Sequence, residues 1–179
     1  TALTAILSNI QVTRSLNRNN AEHAILFEAM GLILKWGPRA DPALRDQAAQ
    51  HLARFVSIKE ANIRYLGLVN MTKLAALPGT RETILKQQKF IFISFKEADI
   101  SLRRAALDLL FVICGKDNAM EIVGELLRFL VLADVAIKEE MVLKIAILAE
   151  RFAPDLRWYV DTILELIAHA GDYVTDDIW

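Results

Sequence analysis

The chain has 179 residues, of which 54% are hydrophobic, with a formal charge of −1 at pH 7 and only 7 Gly and 4 Pro. This composition is too apolar for a disordered chain and too poor in turn residues for an all-β fold. The charge is −6 over residues 134–179 and +5 over the rest, a diffuse bias and not the concentrated basic face of a nucleic-acid surface. The single cysteine, Cys114, excludes an intramolecular disulfide and favours a reducing, intracellular setting. No apolar run reaches the roughly 18–20 residues of a membrane span, and no signal-peptide pattern opens the chain.

Helical periodicity and helix-ending residues predict helices along the whole chain. Asp41-Pro42 is typical of an N-cap followed by Pro at the first helical position, and Gly171 is a C-cap candidate. Asn118, with Glu121 three residues later, resembles a capping box. The predicted helices are residues 2–16, 21–36, 42–57, 61–77, 81–96, 100–114, 118–133, 136–152 and 155–170, with a further start at 173.

Apolar residues at helical spacing support these assignments near the C-terminal end. Two such stripes are Ile137, Met141, Ile145, Leu148 and Phe152, and Leu156, Val160, Ile163, Ile167 and Ala170. The continuous apolar run Lys89–Lys96 also fits a buried strand, but a lone strand would leave its backbone groups without partners. We therefore predict a helix there.

A pattern of a polar residue, a short apolar linker and a charged residue recurs along the chain. It occurs at Ala61–Arg64, Asp99–Arg104, Asp134–Lys138 and Asp172–Asp176, with a weaker match at His23. A period of about forty residues with two helices per unit is typical of HEAT repeats. The predicted fold is all-α, a HEAT-type α-solenoid of stacked antiparallel helix pairs. Residues 1–179 are expected to form a single solenoid segment of about four to five repeats.

The first residue is not Met, and the last, Trp179, stops inside a helical pattern. We therefore expect an internal piece of a longer trunk. Its apolar end residues, among them Ile6, Leu7 and Ile10, are expected to face a preceding repeat and to favour self-association.

The sequence offers no catalytic, cofactor or metal constellation. His23, His51 and His169 are scattered, and Cys114 lies on an apolar helix face, where a small buried hydrophobe is the favoured interpretation. Neither a glycine-rich phosphate loop nor a nucleophile elbow is present. We therefore expect no enzyme activity and predict no catalytic, cofactor-binding or metal residues.

Two sets of charged residues invite functional interpretations that we consider weaker than structural ones. Asp161 and Glu165 are four residues apart, and we interpret them as part of a solvated helix face and not as a catalytic carboxylate pair. The basic residues Arg81, Lys86, Lys89 and Lys96 alternate with Phe90, Phe92 and Phe95 in a pattern that also suits an anionic lipid or nucleic acid. The aromatic residues are assigned to the core, and Trp158-Tyr159 likewise to packing. No selective affinity for phosphoinositide membranes is expected.

Cations recur at one position of successive repeats: Arg64, Arg103 and Lys138. We predict that they form a structural ladder rather than a binding code. Arg103 in particular is expected to bond an acid or a carbonyl of an adjacent helix.

Several longer segments resemble the trunk of the large adaptins in collinear order. They include Asn19–Ala29, Asn62–Leu68, Ser101–Leu110, Val142–Glu150, Trp158–Leu164 and Ala170–Val174. Within that family, Trp158–Asp161 and Gly171–Tyr173 are most similar to the alpha-adaptins of the plasma-membrane clathrin adaptor complex, with the gamma-adaptins of the Golgi and endosomal complex as the alternative.

This resemblance implies a scaffold in endocytic vesicle trafficking and protein transport. Its expected partners are a small sigma subunit and a second large subunit, with cytoplasmic localisation and indirect, peripheral association with plasma-membrane clathrin-coated pits. The family's basic phosphoinositide site has no counterpart here, so no binding residue is assigned. A free-standing HEAT-repeat binding module, such as a transport receptor, is a further alternative.

Overall fold

The computed structural model describes residues 2–9 and 16–173, apart from the side chains of residues 9, 16–20 and 172. Within those ranges the secondary structure is helical and includes no β-strand. The α-helices are α1 (Ala2–Asn9), α2 (Leu16–Trp36), α3 (Pro42–Val56), α4 (Ala61–Ala75), α5 (Arg81–Leu85), α6 (Gln88–Phe95), α7 (Ile100–Ile113), α8 (Ala119–Leu130), α9 (Val135–Phe152) and α10 (Leu156–Ala170). Short 3₁₀ turns occupy Gly37–Arg39 and Gly171–Tyr173.

The helices belong to two compact units, residues 1–112 and residues 113–179. The first contains α1 to α6 and nearly all of α7, and the second contains α8 to α10. In both, consecutive helices joined by short linkers pack on one another, as in HEAT-type α-solenoid repeats. The predicted fold class is thereby confirmed. The extent of a single solenoid segment over residues 1–179, with four to five repeats, stays a prediction.

The pair α3–α4 forms the most extensive helix contact in the first unit. As predicted, Asp41 caps α3: its carboxylate accepts a hydrogen bond from the Ala43 amide at 2.8 Å, and Pro42 occupies the first helical position. Gly67 of α4 lies against Phe55 of α3, so closely that a Cβ at residue 67 would be 3.1 Å from the Phe55 Cβ. The absence of a side chain at Gly67 therefore permits the close approach of the two helices.

The linker between α4 and α5 is held by two buried polar side chains. Thr80 donates its hydroxyl proton toward the Leu74 and Leu77 carbonyls, with distances of 2.8 and 2.9 Å. Arg45 of α3, which is only 7% exposed, donates from Nη1 to the Pro78 carbonyl at 2.6 Å. A buried guanidinium thus satisfies a carbonyl that the helix ladder cannot reach.

The second unit buries regular stripes from α8 and α9. On α8 the buried residues recur at helical spacing: Ala119, Ile122, Val123, Leu126, Leu127 and Leu130. On α9, Ile137, Met141, Ile145 and Leu148 are fully buried and Phe152 is partly buried, which confirms the predicted stripe.

The segment Lys89–Lys96 is helical, as predicted, but residues 81–96 do not form one helix. The break falls at Lys86-Gln87, where the Gln87 amide bonds the Ile84 carbonyl at 2.8 Å in a tighter, 3₁₀-type turn. Four successive polar residues, Lys86–Lys89, give this turn no apolar side chain to bury. Packing therefore does not enforce a continuous helix.

The predicted capping box at Asn118 is wrong, although Asn118 does precede α8. Its side chain makes no capping bond to that helix. Instead Oδ1 accepts from the Gly115 amide at 2.8 Å and Nδ2 donates to the Ile113 carbonyl at 3.4 Å. The Asn118 side chain could cap a helix, but here it forms hydrogen bonds across the linker between α7 and α8.

The predicted apolar stripe of α10 is also partly wrong. Thr162, Leu166 and Ala170 are the buried residues, whereas Leu156 is 76% exposed and Val160 is 44% exposed. The buried face is therefore rotated relative to the predicted one, because α10 packs on both α9 and α8 and places a small polar residue, Thr162, inside. The predicted C-cap is confirmed, since Gly171 has a positive φ of 57° and its amide bonds the Ile167 carbonyl.

The helix at the start of the chain is described only in part, and one of its residues has a different environment from the one predicted. Residues 2–9 of the predicted helix 2–16 form α1, Leu16 belongs to α2, and residues 10–15, including Ile10, lie outside the described part. Leu7, expected to face a preceding repeat, is buried within its own unit, where α1 packs on α2 and α3. The predicted helix start at 173 falls on the 3₁₀ turn Gly171–Tyr173 and on residues that are not described.

We predict that Gly67→Ala lowers the free energy of unfolding by about 1 kcal/mol. The added methyl group presses on Phe55, and overpacking of this kind costs about 1–3 kcal/mol, partly offset by the higher helix propensity of Ala. The matched control is Gly31→Ala on α2, where a new Cβ meets no atom within 4 Å. It should raise the free energy of unfolding by about 0.5–1 kcal/mol. Urea unfolding of both variants is the measurement, and equal, positive changes would contradict the close packing of α3 and α4.

Candidate functional site

The histidines and the cysteine considered as metal or catalytic residues lie on different elements of the chain. His23 of α2 packs edge-to-face on the Phe55 ring, with 5.1 Å between the centroids. His51 lies on α3 and His169 on α10. Within residues 2–9 and 16–173 no group of three or more His, Cys, Asp or Glu residues is placed to hold a metal ion. Cys114 is buried, in agreement with its predicted role as a small apolar residue.

The carboxylates Asp161 and Glu165 form a solvated charged face. Asp161 lies 3.8 Å from the Arg157 guanidinium, and Glu165 lies 4.0 Å from the His169 ring, each one turn away on α10. The Asp161 and Glu165 side chains are 68% and 51% exposed. The structural interpretation of this pair is therefore confirmed, since both acids are more than half exposed.

The basic and aromatic set of α5 and α6 is split between core and surface. Phe95 and Ile91 are fully buried, as the core interpretation predicts. Phe90 and Ile93, however, are exposed beside the exposed Lys89. The core assignment is thus confirmed for Phe95, holds in part for the half-buried Phe92, and is wrong for Phe90.

Two of the recurrent cations, Arg64 and Arg103, make the contacts with an acid or a carbonyl that the ladder hypothesis predicts, and one linker residue serves both. The Arg64 side chain, 13% exposed, pairs with the Glu97 carboxylate at 3.0 Å. Arg103 donates from Nε to the main-chain carbonyl of the same Glu97 at 2.5 Å. The predicted carbonyl partner of Arg103 is therefore confirmed, although it lies in the linker before α7 rather than in an adjacent helix. In the second unit, Lys138 Nζ lies over the Tyr173 ring, 5.5 Å from its centroid.

A polar groove between α3 and α5 was not foreseen from the sequence. It encloses about 490 Å³ and is lined by Asp46, Gln50, Ala53, Arg54, Ser57, Thr83, Lys86 and Gln87. Asp46 accepts a hydrogen bond from Thr83 Oγ1 at Oδ1 and from Gln50 Nε2 at Oδ2, both at 2.8 Å. The signal was present in the sequence as a polar row on α3, with residues 46, 50, 54 and 57 on one side of the helix.

A smaller cavity of about 210 Å³ lies on the α1 side of α3 and shares Gln50 and Arg54 with the groove. His51 lines this cavity. Burial lowers the pKa of His51 below its ordinary 6.5, the charge of Arg54 lowers the pKa further, and a hydrogen bond with the Leu7 main chain opposes the change. The charge of Arg54 therefore acts on both cavities.

Comparison with known sequences assigns the chain to a family. The family model of the adaptin N terminal region matches residues 1–179. The chain belongs to the adaptin family. The resemblance stated from its sequence segments is thereby confirmed.

This adaptin chain is most usefully compared with subunits of two complexes. It is 49% identical over 177 residues to the AP-2 complex subunit alpha-1 of Arabidopsis thaliana and 47% identical over 180 residues to the AP-2 complex subunit alpha-2 of Dictyostelium discoideum. Identity to the AP-1 complex subunit gamma-1 of Arabidopsis thaliana is 30% over 177 residues. Each match covers 99% of this chain but only 17%, 18% and 20% of these relatives, respectively. The predicted similarity to alpha- over gamma-adaptins is confirmed.

The described helices of this adaptin include no candidate for a bilayer crossing, since none is both long enough and apolar enough.

We predict that Glu97→Gln lowers the free energy of unfolding by about 1–2 kcal/mol, because it leaves the mostly buried Arg64 guanidinium without its carboxylate. Arg103 keeps its main-chain carbonyl in this variant. The matched control is Asp161→Asn, which breaks an exposed pair and should cost less than about 0.5 kcal/mol. Urea unfolding compares the two variants, and indistinguishable midpoints would show that the Glu97 carboxylate does not contribute to the free energy of unfolding.

We predict that the free energy of unfolding decreases as the pH falls from about 7.5 to 5.5, with a contribution from His51. The lowered pKa in the folded state means that the unfolded chain binds the proton more readily, so acid favours unfolding. Arg54→Gln, which removes one cause of the lowering, should move the pKa of His51 back toward 6.5 in an NMR titration. Lys35→Gln, which removes a charge at the end of α2, is the control and should leave the His51 titration unchanged.

Proposed function

We propose that this adaptin segment is a non-catalytic scaffold in the trunk of a clathrin adaptor large subunit of the alpha type, acting in endocytic vesicle trafficking and protein transport. The observation that supports this proposal is the identity of 47–49% over nearly the whole chain to AP-2 alpha subunits, against 30% to an AP-1 gamma subunit. An AP-1 gamma-like role in a Golgi or endosomal complex is the alternative that this difference disfavours.

The physical basis of the role is the fixed arrangement of helices within the first unit. Arg45, Thr80 and Glu97 tie linkers to helices through hydrogen bonds and an ion pair, so the linkers have little freedom to change the angle between neighbouring helices. A segment of this kind maintains the relative position of surfaces elsewhere on a longer subunit. The proposed partners are a small sigma subunit and a second large subunit, with indirect, peripheral association with plasma-membrane clathrin-coated pits from the cytoplasmic side.

The proposal is tested by exchanging segments in the Arabidopsis thaliana AP-2 alpha-1 subunit. A chimera that carries this chain in place of the matching residues should assemble with the other AP-2 subunits, appear at the plasma membrane and restore endocytic uptake. The matched control carries the corresponding segment of the Arabidopsis thaliana gamma-1 subunit and should restore less uptake at equal expression. Assembly with AP-1 subunits instead, or equal rescue by both chimeras, would contradict the alpha-type assignment.

We further propose that the chain self-associates through the exposed stripe Leu156, Val160 and Leu164 on α10. These residues are one turn apart, and Leu156 and Leu164 are 76% and 60% exposed. Contiguous exposed apolar surface on a helix favours association with another apolar face.

We predict that Leu156→Asp with Leu164→Asp shifts the chain toward monomer in sedimentation velocity experiments, because the charges oppose burial of the stripe. Leu132→Asp, which alters an apolar residue of the α8–α9 linker that is 78% exposed, is the control. It should leave the association constant within about twofold. A monomeric wild type at millimolar concentration would contradict this prediction.

A further inference from the structure

The groove between α3 and α5 has no part in the scaffold role, yet it concentrates polar groups in one concave place. Asp46, Gln50 and Arg54 line it from α3, and Thr83, Lys86 and Gln87 line it from α5 and the break that follows. Ala53 is the one apolar residue among its lining. Because the other seven lining residues each carry a polar or charged group, a polar occupant fits best.

The dimensions of the groove suit an extended chain. From residue 46 to residue 57, α3 rises by about 16 Å, since each helical residue adds about 1.5 Å. A peptide in extended conformation covers that distance with about five residues, at about 3.3 Å each. The enclosed volume of about 490 Å³ is much larger than a single small ion requires.

The acidic group in the groove has hydrogen-bond partners, whereas its two basic groups have no carboxylate partner within the described part of the chain. Both oxygens of the Asp46 carboxylate accept hydrogen bonds, from Thr83 and Gln50. Among the described residues, neither Arg54 nor Lys86 has a carboxylate within ion-pair distance. The groove therefore has two cations available for an incoming anion, and the lowered pKa of the neighbouring His51 is consistent with the positive potential from Arg54.

We propose that this groove binds a short, extended, acidic peptide segment of a partner protein, with a carboxylate of the peptide paired with Arg54 and Lys86. The planar Arg54 guanidinium offers two parallel donors to a carboxylate, and Lys86 adds a second charge. Gln50 and Gln87 are placed to exchange hydrogen bonds with the main chain of the peptide, because an amide side chain both donates and accepts. The specificity is for acidic residues flanked by polar ones, since seven of the eight lining residues carry a polar or charged group.

A peptide is favoured over a membrane surface by the shape and the sign of the groove. The two cations line a cavity instead of projecting from a convex face. Asp46 lies in the same cavity and would face the head groups of an anionic lipid layer, which repel it. An isolated peptide carboxylate avoids that repulsion by binding at the Arg54 end.

The test uses the whole chain labelled with ¹⁵N and the probe peptide acetyl-Gly-Gln-Glu-Asp-Gly-amide. We expect amide shift changes confined to α3 and to residues 83–87, with saturation at millimolar peptide or below. In Arg54→Gln with Lys86→Gln the affinity should fall at least tenfold. The matched control removes the same two residue types elsewhere, with Lys35→Gln and Arg157→Gln, and should change the affinity less than twofold.

Two further probes make the outcome decisive. The neutral peptide acetyl-Gly-Gln-Gln-Asn-Gly-amide should bind at least tenfold more weakly, and vesicles of phosphatidylcholine with phosphatidylserine should leave the groove amides unperturbed. Shift changes outside the groove, or an affinity insensitive to the Arg54 and Lys86 substitutions, would overturn the proposal. So would vesicle binding that these substitutions abolish, since the cations would then serve a membrane. Circular dichroism of each variant excludes loss of folding as the cause, and none of these results bears on the chimera experiment.

Discussion

The burial of one helix's apolar stripe by its neighbour is the constraint on which this chain depends. The helices are mostly 8 to 18 residues long, too short to be stable alone in water, so packing supplies most of their stability. Where the packing is closest, between α3 and α4, the sequence places Gly67 opposite Phe55 and thereby permits a tight approach. The linkers are then fixed by polar side chains that donate to main-chain carbonyls in the linkers or in the last turn of a helix.

The elements that sequence reasoning predicted well are those in which one periodic signal dominates. The stripe of α9 could be predicted because its apolar residues recur at one helical spacing. The start of α3 could be predicted because Asp41 favours the N-cap and Pro42 favours the first helical position, and both place the start at the same point. The stripe of α10 was misplaced because that helix has more apolar residues than its neighbours can cover, and only the tertiary arrangement selects which of them are buried. Asn118 was misassigned because one amide side chain fits two local hydrogen-bond patterns equally well.

The polar groove escaped sequence reasoning for a related reason. A row of polar residues on α3 indicates a solvent-facing side and nothing more, since most exposed helix faces have such rows. The groove forms because α5, which ends at the Lys86-Gln87 break, packs beside α3. The family assignment has a different origin: it depends on collinear sequence segments, which predicted the alpha-type relatives without any knowledge of a site.

Glu97 contacts two successive recurrent arginines through two chemically different groups, its carboxylate for Arg64 and its backbone carbonyl for Arg103. Every amino acid has a backbone carbonyl, so the second bond tolerates any residue at position 97 that preserves the linker conformation. The first bond requires an acid of suitable length. A substitution at position 97 can therefore remove the carboxylate link to Arg64 while the carbonyl link to Arg103 persists.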